Sequence, residues 1–396
     1  MTKIFSGLFT CLLLIFFATN TFAITVTVHT AAELEAAVDK AKPGDVVLIA
    51  NGKYADWNCM LTGRGEAGKP VIVRAESSGK VSFGGPVMKT IFRITGTYLE
   101  LSGITFSECK VSRTPGQTTT LVQLEGSTGC RVSGCSFEKN EVMSQFMPIV
   151  VISGKGESNR VDHCSFISNV NNMEVQVVVA KVATPFHTMI DHNEFRNKAK
   201  VTWPVFNGGE CVQVGQDPVL LGNISSFTTV RDNRFIECNG EPEVISNKSS
   251  DNKYINNSLT NCEGELVMRG GFDCIVDSNI VEGGACGIRI NGAHHTVTNN
   301  RISNVKTAIR LMYGMATGKT EIGFYIAASD CIITNNKISH VQTGILVGDS
   351  KNADWTGKFD VKRYPSRTMQ DVSPANNKIE NNSITDAQTE IMRNDN

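Results

Sequence analysis

A six-residue segment, apolar at both ends and usually small or Asn at its fourth position, returns along this chain. It reads LSGITF (101–106), VSGCSF (132–137), VDHCSF (161–166), IDHNEF (190–195) and VRDNRF (230–235). It continues as YINNSL (254–259), VDSNIV (276–281), VTNNRI (297–302), ITNNKI (333–338) and IENNSI (379–384). Successive starts differ by 31, 29, 29, 40, 24, 22, 21, 36 and 46 residues. Steps of 21 to 24 residues fit one turn of a parallel β-helix, and the longer steps fit the same coil carrying loop insertions. One coil cannot bury its own apolar face. Stacked coils form a continuous core and satisfy each other's backbone hydrogen bonds. The fourth position is Asn in the last seven copies, from Asn193 to Asn382. Stacked amides hydrogen-bond along such an axis, and Asn tolerates the left-handed turn that a coil corner needs. The pattern therefore predicts an all-β chain, a single right-handed parallel β-helix over 24–396, with Asn233, Asn257, Asn279, Asn300 and Asn336 stacked on successive coils.

Helical periodicity is scarce. After a β-branched strand at 24–28, Thr30 and Glu33 form a capping box ahead of Leu34, Ala37, Val38 and Ala41. This predicts one short amphipathic helix, closing the open N-terminal end of the solenoid.

Residues 1–23 have the form of a secretory signal peptide: Lys3 is the only charge, 8–18 is apolar, and Thr21, Phe22 and Ala23 offer a cleavage site. Export to the periplasm or medium is expected. No later stretch is long and apolar enough for a membrane span. Losing the leader takes the formal charge from -1 to about -2. So balanced a chain has no global attraction for nucleic acid, and a polyanion would need a local positive groove. Setting aside Cys11 leaves eleven of the twelve cysteines. An odd number without compact spacing reads as buried free thiols rather than a disulfide framework.

The unusual charges concentrate in 206–271, which holds FNGGE (206–210), EPEVISNK (241–248) and GELVMRGG (264–271). Strand alternation projects Glu241 and Glu243 together. Counting ten residues on from the motif asparagines reaches Glu243, Val267, Arg289 and Arg310, with Arg269 one same-face step beyond Val267. Glu243, Arg269, Arg289 and Arg310 are therefore expected on one outer face of consecutive coils, with Asn207 and Glu210 just ahead. Arginine forks bind carboxylates in bidentate geometry. Two glutamates with an Asn oxygen suit a hard cation such as Ca²⁺. Together they suit β-elimination on a polyuronate. A cation offsets the substrate carboxylate while a base removes the C5 proton. A lysine serves as that base when neighbouring positive charge favours its neutral form. Taken singly, each feature more often describes a solvated surface, and the shared face is what joins them. A uronate epimerase, which abstracts the same proton, and a glycan-binding β-helix protein fit the pattern too.

The runs NGGE (207–210), EPEVISNKS (241–249) and VMRG (267–270) resemble polysaccharide lyase family 6, which contains alginate lyases and the dermatan-sulfate lyase chondroitinase B. The resemblance covers nearly the whole chain after the leader, including the helical cap and GIRI (287–290). It implies that Asn207, Glu241 and Glu243 are calcium ligands, Lys248 the Brønsted base and Arg269 the Brønsted acid. Arg289 matches a substrate-binding arginine, and Glu210 lies beside the calcium site. Arg310 and Tyr313 join them as expected substrate contacts. Many members have His directly after the arginine. Here it is Gly270, which alters one subsite contact. The implied function is an exported, calcium-assisted alginate lyase, with dermatan sulfate the alternative substrate. Two insertions, 312–329 with Tyr313, Lys319, Phe324 and Tyr325, and 348–372 with Trp355, Lys358, Phe359, Lys362, Arg363, Tyr364 and Arg367, mix aromatics with cations, which suits a sugar-acid polymer and equally fits ordinary loops or a cover over the C-terminal end of the solenoid.

Overall fold

The computed structural model describes residues 23–113, 119–217, 221–316, 325–358 and 368–395. Of the expected leader only Ala23 falls within them. Cys11 lies outside the described residues, as do Lys319, Phe324, Phe359, Lys362, Arg363, Tyr364 and Arg367.

The repeat folds as its period requires, into a right-handed parallel β-helix. The first motif position supplies one face, a 13-stranded parallel sheet running from Thr25–Val28 through Val46–Ile49 and Val71–Ala75 to Lys378–Glu380. The last motif position supplies the next face. There Phe106, Phe137, Phe166, Phe195 and Phe235 stack with ring centroids 4.7 to 4.9 Å apart and planes within 6° of parallel, the spacing of neighbouring strands. The third face carries Val122–Glu125, Pro148–Ser153, Met173–Val177, Val212–Val214, Glu243–Asn247, Glu265–Met268, Cys286–Ile290 and Thr307–Met312 in order. All its neighbours pair in parallel.

The asparagine ladder forms as the phase of the motif predicts. Asn193 Nδ2 donates to Asn233 Oδ1, and the chain of amides continues through Asn257, Asn279, Asn300 and Asn336 to Asn382, each contact 2.9 or 3.0 Å. The left-handed conformation expected of these asparagines belongs instead to the residue before each one. His192, Asp232, Asn256, Ser278, Asn299, Asn335 and Asn381 have φ between 53° and 57°. That residue turns the corner, which leaves the ladder amide pointing inward. Asn279 accepts from the Asn257 N–H at 2.9 Å and donates to the Tyr254 carbonyl at 2.9 Å. Asn279→Ala leaves these buried groups and the Asn257 and Asn300 amides unmatched. It should lower unfolding stability by about 3 kcal/mol, read as a drop in the urea midpoint at unchanged slope.

The interior is also lined by thiols. Ten of the eleven described cysteines are buried, Cys286 is half-buried, and none is paired. Burial lowers the pKa of His295 to about 4, so it stands neutral and Nδ1 accepts from the Cys274 N–H at 3.1 Å. Helix α1, Ala31–Lys40, begins at the expected cap: Thr30 Oγ1 accepts from the Glu33 N–H at 3.2 Å, while Glu33 Oε2 reaches one residue past the cap and accepts from the His29 N–H at 2.7 Å. Its Leu34 and Val38 are buried in the end of the core. Among the described residues no helix is long and apolar enough to cross a membrane.

Candidate active site

The third face bulges where the acidic motif enters it. Glu243 pairs with Glu265, and after a register shift Ser246 pairs with Val267, which in turn pairs with Arg289 and Arg289 with Arg310. Counting ten residues from Asn233 therefore stops three residues short of the Arg289 row, because this coil carries extra residues at its corner. Glu243 nonetheless reaches that row through its side chain. Its Oε1 is bonded to an Arg289 terminal nitrogen and lies 3.5 Å from Arg269. Its Oε2 accepts from Ser246 Oγ at 2.5 Å.

Three carboxylates, Glu210, Glu241 and Glu243, each place an oxygen within 4.8 Å of the others, all buried. Stacking brings them together, since Glu210 sits one coil before the other two. Gly208 serves Glu241 by donating its N–H to Oε2 at 3.0 Å. Lys248, 5 % exposed, donates to Glu210 Oε1 at 3.1 Å, and Gln213 Nε2 donates to the same oxygen at 2.6 Å. No donor reaches Glu210 Oε2 or Glu241 Oε1, although both are buried. Unpaired, adjacent, buried carboxylate oxygens suit a hard divalent cation, so these residues fit calcium.

The charges set one another's protonation. Burial raises the pKa of Glu241 well above the carboxylate range, and Glu210 and Glu243 push it further. Burial most strongly opposes ionisation of Glu210, but Lys248 and the hydrogen bonds to the carboxylate together outweigh it and the pKa falls. For Glu243, Arg269, Arg289 and Lys248 overcome burial and hold the carboxyl far below its usual range. Burial disfavours the charge on Arg269, yet Glu243, Tyr325, Glu241 and Glu210 keep its pKa above the ordinary arginine value.

Of the residues expected from sequence, Glu210, Glu241, Glu243, Lys248, Arg269 and Arg289 meet in one cluster. Asn207 is on the same loop as Gly208, half-buried, with its carbonyl accepting from Gln145 Nε2 at 2.9 Å. Arg310 is next to Arg289 in register, but its fork is spent on Glu265 and on Asp349, the latter at 2.7 Å. Tyr313 is 2 % exposed and its hydroxyl donates to the Asn394 carbonyl at 3.1 Å. Tyr325 is the insertion tyrosine that touches the cluster. Its hydroxyl accepts from Arg269 at 3.1 Å, and its ring stacks on Trp355 with centroids 5.6 Å apart.

Residues 28–396 match the family model described as Chondroitinase B. Among solved structures, the chain is similar to the PL6 family alginate lyase AlyGC, with 26 % identity over 90 % of this chain and 47 % of that one and a TM-score of 0.75. A mannuronic acid specific polysaccharide family 6 lyase from human gut microbiota is similar at 23 % identity, covering 93 % of this chain and 82 % of that one, TM-score 0.74. The PL6 family polysaccharide lyase Pedsa3628 from Pseudopedobacter saltans shares 20 % identity over 92 % of both chains, TM-score 0.69. The last two likenesses speak to the fold. The chain spans about half the length of AlyGC. No curated protein matches it.

Proposed function

The chain belongs to the Chondroitinase B family, polysaccharide lyase family 6, and on that premise we propose that it is an exported alginate lyase acting by calcium-assisted β-elimination. The observation that carries this reading is the buried carboxylate cluster, with two unpaired oxygens, ringed by Lys248, Arg269 and Arg289. Glu241 and Glu243, with Glu210 and Asn207 beside them, would hold calcium, which when bound offsets the charge of the substrate carboxylate.

The residues divide the remaining work. Lys248 takes the C5 proton as a neutral amine, having passed its own proton on. That proton leaves to solvent, and Glu210 Oε1, at 3.1 Å, orients the amine. Arg269 faces the C4–O4 bond that breaks, and its guanidinium stabilises the oxygen as negative charge develops. Arg289, fixed by Glu243, orients the uronate carboxylate. Glu243, paired with Arg269 and Arg289, offsets part of this positive face. The product carries a 4,5-unsaturated uronate at its new non-reducing end. Alginate is preferred to dermatan sulfate because Arg310, the next arginine along the row, is already matched by Glu265 and Asp349, which leaves it little charge for sulfate esters. The solved relatives named as alginate lyases point the same way.

Exhaustive chelation should abolish formation of unsaturated ends from alginate and leave the far-ultraviolet circular dichroism unchanged, since the solenoid core lies apart from the acidic cluster. Adding calcium back should restore turnover. Undiminished activity after chelation contradicts the calcium role.

A further inference from the structure

On the N-terminal side of the acidic cluster the same face hollows into a cavity of about 650 Å³, lined by Arg113, Gln123, Phe146, Ser153, Gln176 and Ala183 among others. The proposed function above does not use it. Its floor continues the row of the active site, because Gln123, Val151, Gln176, Gln213 and Ser246 are strand partners in sequence. A hydrogen-bond chain runs along that row. Gln176 Nε2 donates to Gln213 Oε1 at 2.6 Å, and Gln213 donates to Glu210. Gln176 lies two rungs from Ser246, roughly 10 Å along the axis.

Phe146 forms the cavity's apolar wall, and the chain holds it there at a conformational cost. It is 50 % exposed and has φ 62°, a left-handed conformation that a bulky residue rarely adopts. The loop is clipped to the segment that carries Asn207. Gln145 Nε2 donates to the Val205 and Asn207 carbonyls at 3.0 and 2.9 Å. Gly208, at φ +87°, lies under the ring. A Cβ there would come within 3.1 Å of Phe146 Cδ1. An exposed aromatic fixed in a strained turn, facing amides across a cavity, has the features of a ligand wall rather than of a packing residue.

We propose that this cavity is a distal subsite for one uronate unit of the same polymer, and that Phe146 is its specificity-determining residue. The apolar face of a pyranuronate lies on the Phe146 ring, its hydroxyls meet the Gln123 and Gln176 amides and Ser153, and its carboxylate meets Arg113 at the rim. Glu125, the carboxylate on this wall, is paired with Arg93. The inference rests on the lyase reading for its direction. Arg269 stands one coil beyond Lys248 toward the C-terminus, so the C4–O4 bond points that way from the sugar that loses its C5 proton. The cavity is on the opposite, reducing-end side. Chains extended at the reducing end should therefore be cleaved faster than short ones.

The test compares kcat/KM on saturated alginate oligomers of increasing length, for the wild type, Phe146→Ala and Ala183→Trp. The second variant fills the cavity from its half-buried rim and leaves Phe146 in place. Both should lower the hexamer-to-trimer ratio by about tenfold, the effect of one lost sugar contact. In a Lys248→Ala background, where turnover is removed, Phe146→Ala should weaken calorimetric binding of hexamer by a similar factor. Equal losses at every length would make Phe146 a support for the Asn207 loop and overturn the subsite. Unchanged ratios and affinities would overturn it too. Hexamer binding that depends on Phe146 in a wild type that makes no unsaturated product would refute the lyase reading and leave the subsite standing.

Discussion

Lys248→Ala should reduce turnover on alginate by about 10²–10⁴-fold or more, the usual effect of losing a general base. The lysine is buried, and its amine reaches an oxygen of the cluster that would face the substrate carboxylate. No other lysine among the described residues pairs with Glu210, Glu241 or Glu243. Lys248→Arg should not rescue, because a guanidinium stays charged and cannot accept a proton. The loss must be separated from a folding defect, since removing Lys248 also withdraws the cation that offsets burial of Glu210. Lys248→Met preserves the buried volume. It should show the same loss of turnover with a cooperative thermal transition still present. Near-wild-type turnover in the alanine variant would remove Lys248 from the mechanism, and Tyr325, which the structure sets beside Arg269, would become the next base to test.

Arg269→Ala should cost about 10²–10³-fold in kcat, the range found when a donor to a developing oxyanion is removed. Its guanidinium is fixed on two sides, by Glu243 at 3.5 Å and the Tyr325 hydroxyl at 3.1 Å, while Nε is buried without a partner. With its pKa held above the ordinary arginine value, the side chain acts chiefly as a fixed positive donor, and the proton on the leaving oxygen is recovered from solvent. Arg269→Lys keeps the charge and loses the fork, so it should retain part of the activity. KM should change less than kcat in both variants, because the interaction strengthens as charge develops on the oxygen. A loss confined to KM would place Arg269 in ground-state binding instead.

The solenoid was legible because its signal repeats. Apolar positions such as Val230, Val276 and Ile333 recur in phase with a ladder asparagine, and stacking turns that phase into a core. The motif also revealed Glu241, Glu243, Lys248 and Arg269, which lie within 29 residues of one another. What escaped the sequence was set by contacts between coils. Glu210 is 31 residues before Glu241, so only the family resemblance put it beside the calcium site, and no local pattern says that their oxygens converge. Two extra residues at the corner before Glu243 and a one-residue bulge after it defeated counting from Asn233, so Ser246 occupies the row expected of Glu243. The acid partners of Arg310 come from other coils, Asp349 from the next and Glu265 from two before, and Tyr325 reaches Arg269 across 56 residues of sequence. Phe146 sits in no motif, and its exposure and strained φ emerge only in the folded chain.

The most direct measurement is a side-by-side time course of ultraviolet absorbance from the 4,5-unsaturated uronate, with wild-type protein and calcium, on alginate and on dermatan sulfate. The account predicts steady growth of the band on alginate and little on dermatan sulfate. Growth on dermatan sulfate alone would keep the elimination and contradict the substrate. Binding or C5 inversion of either polymer without any absorbance would contradict the elimination itself.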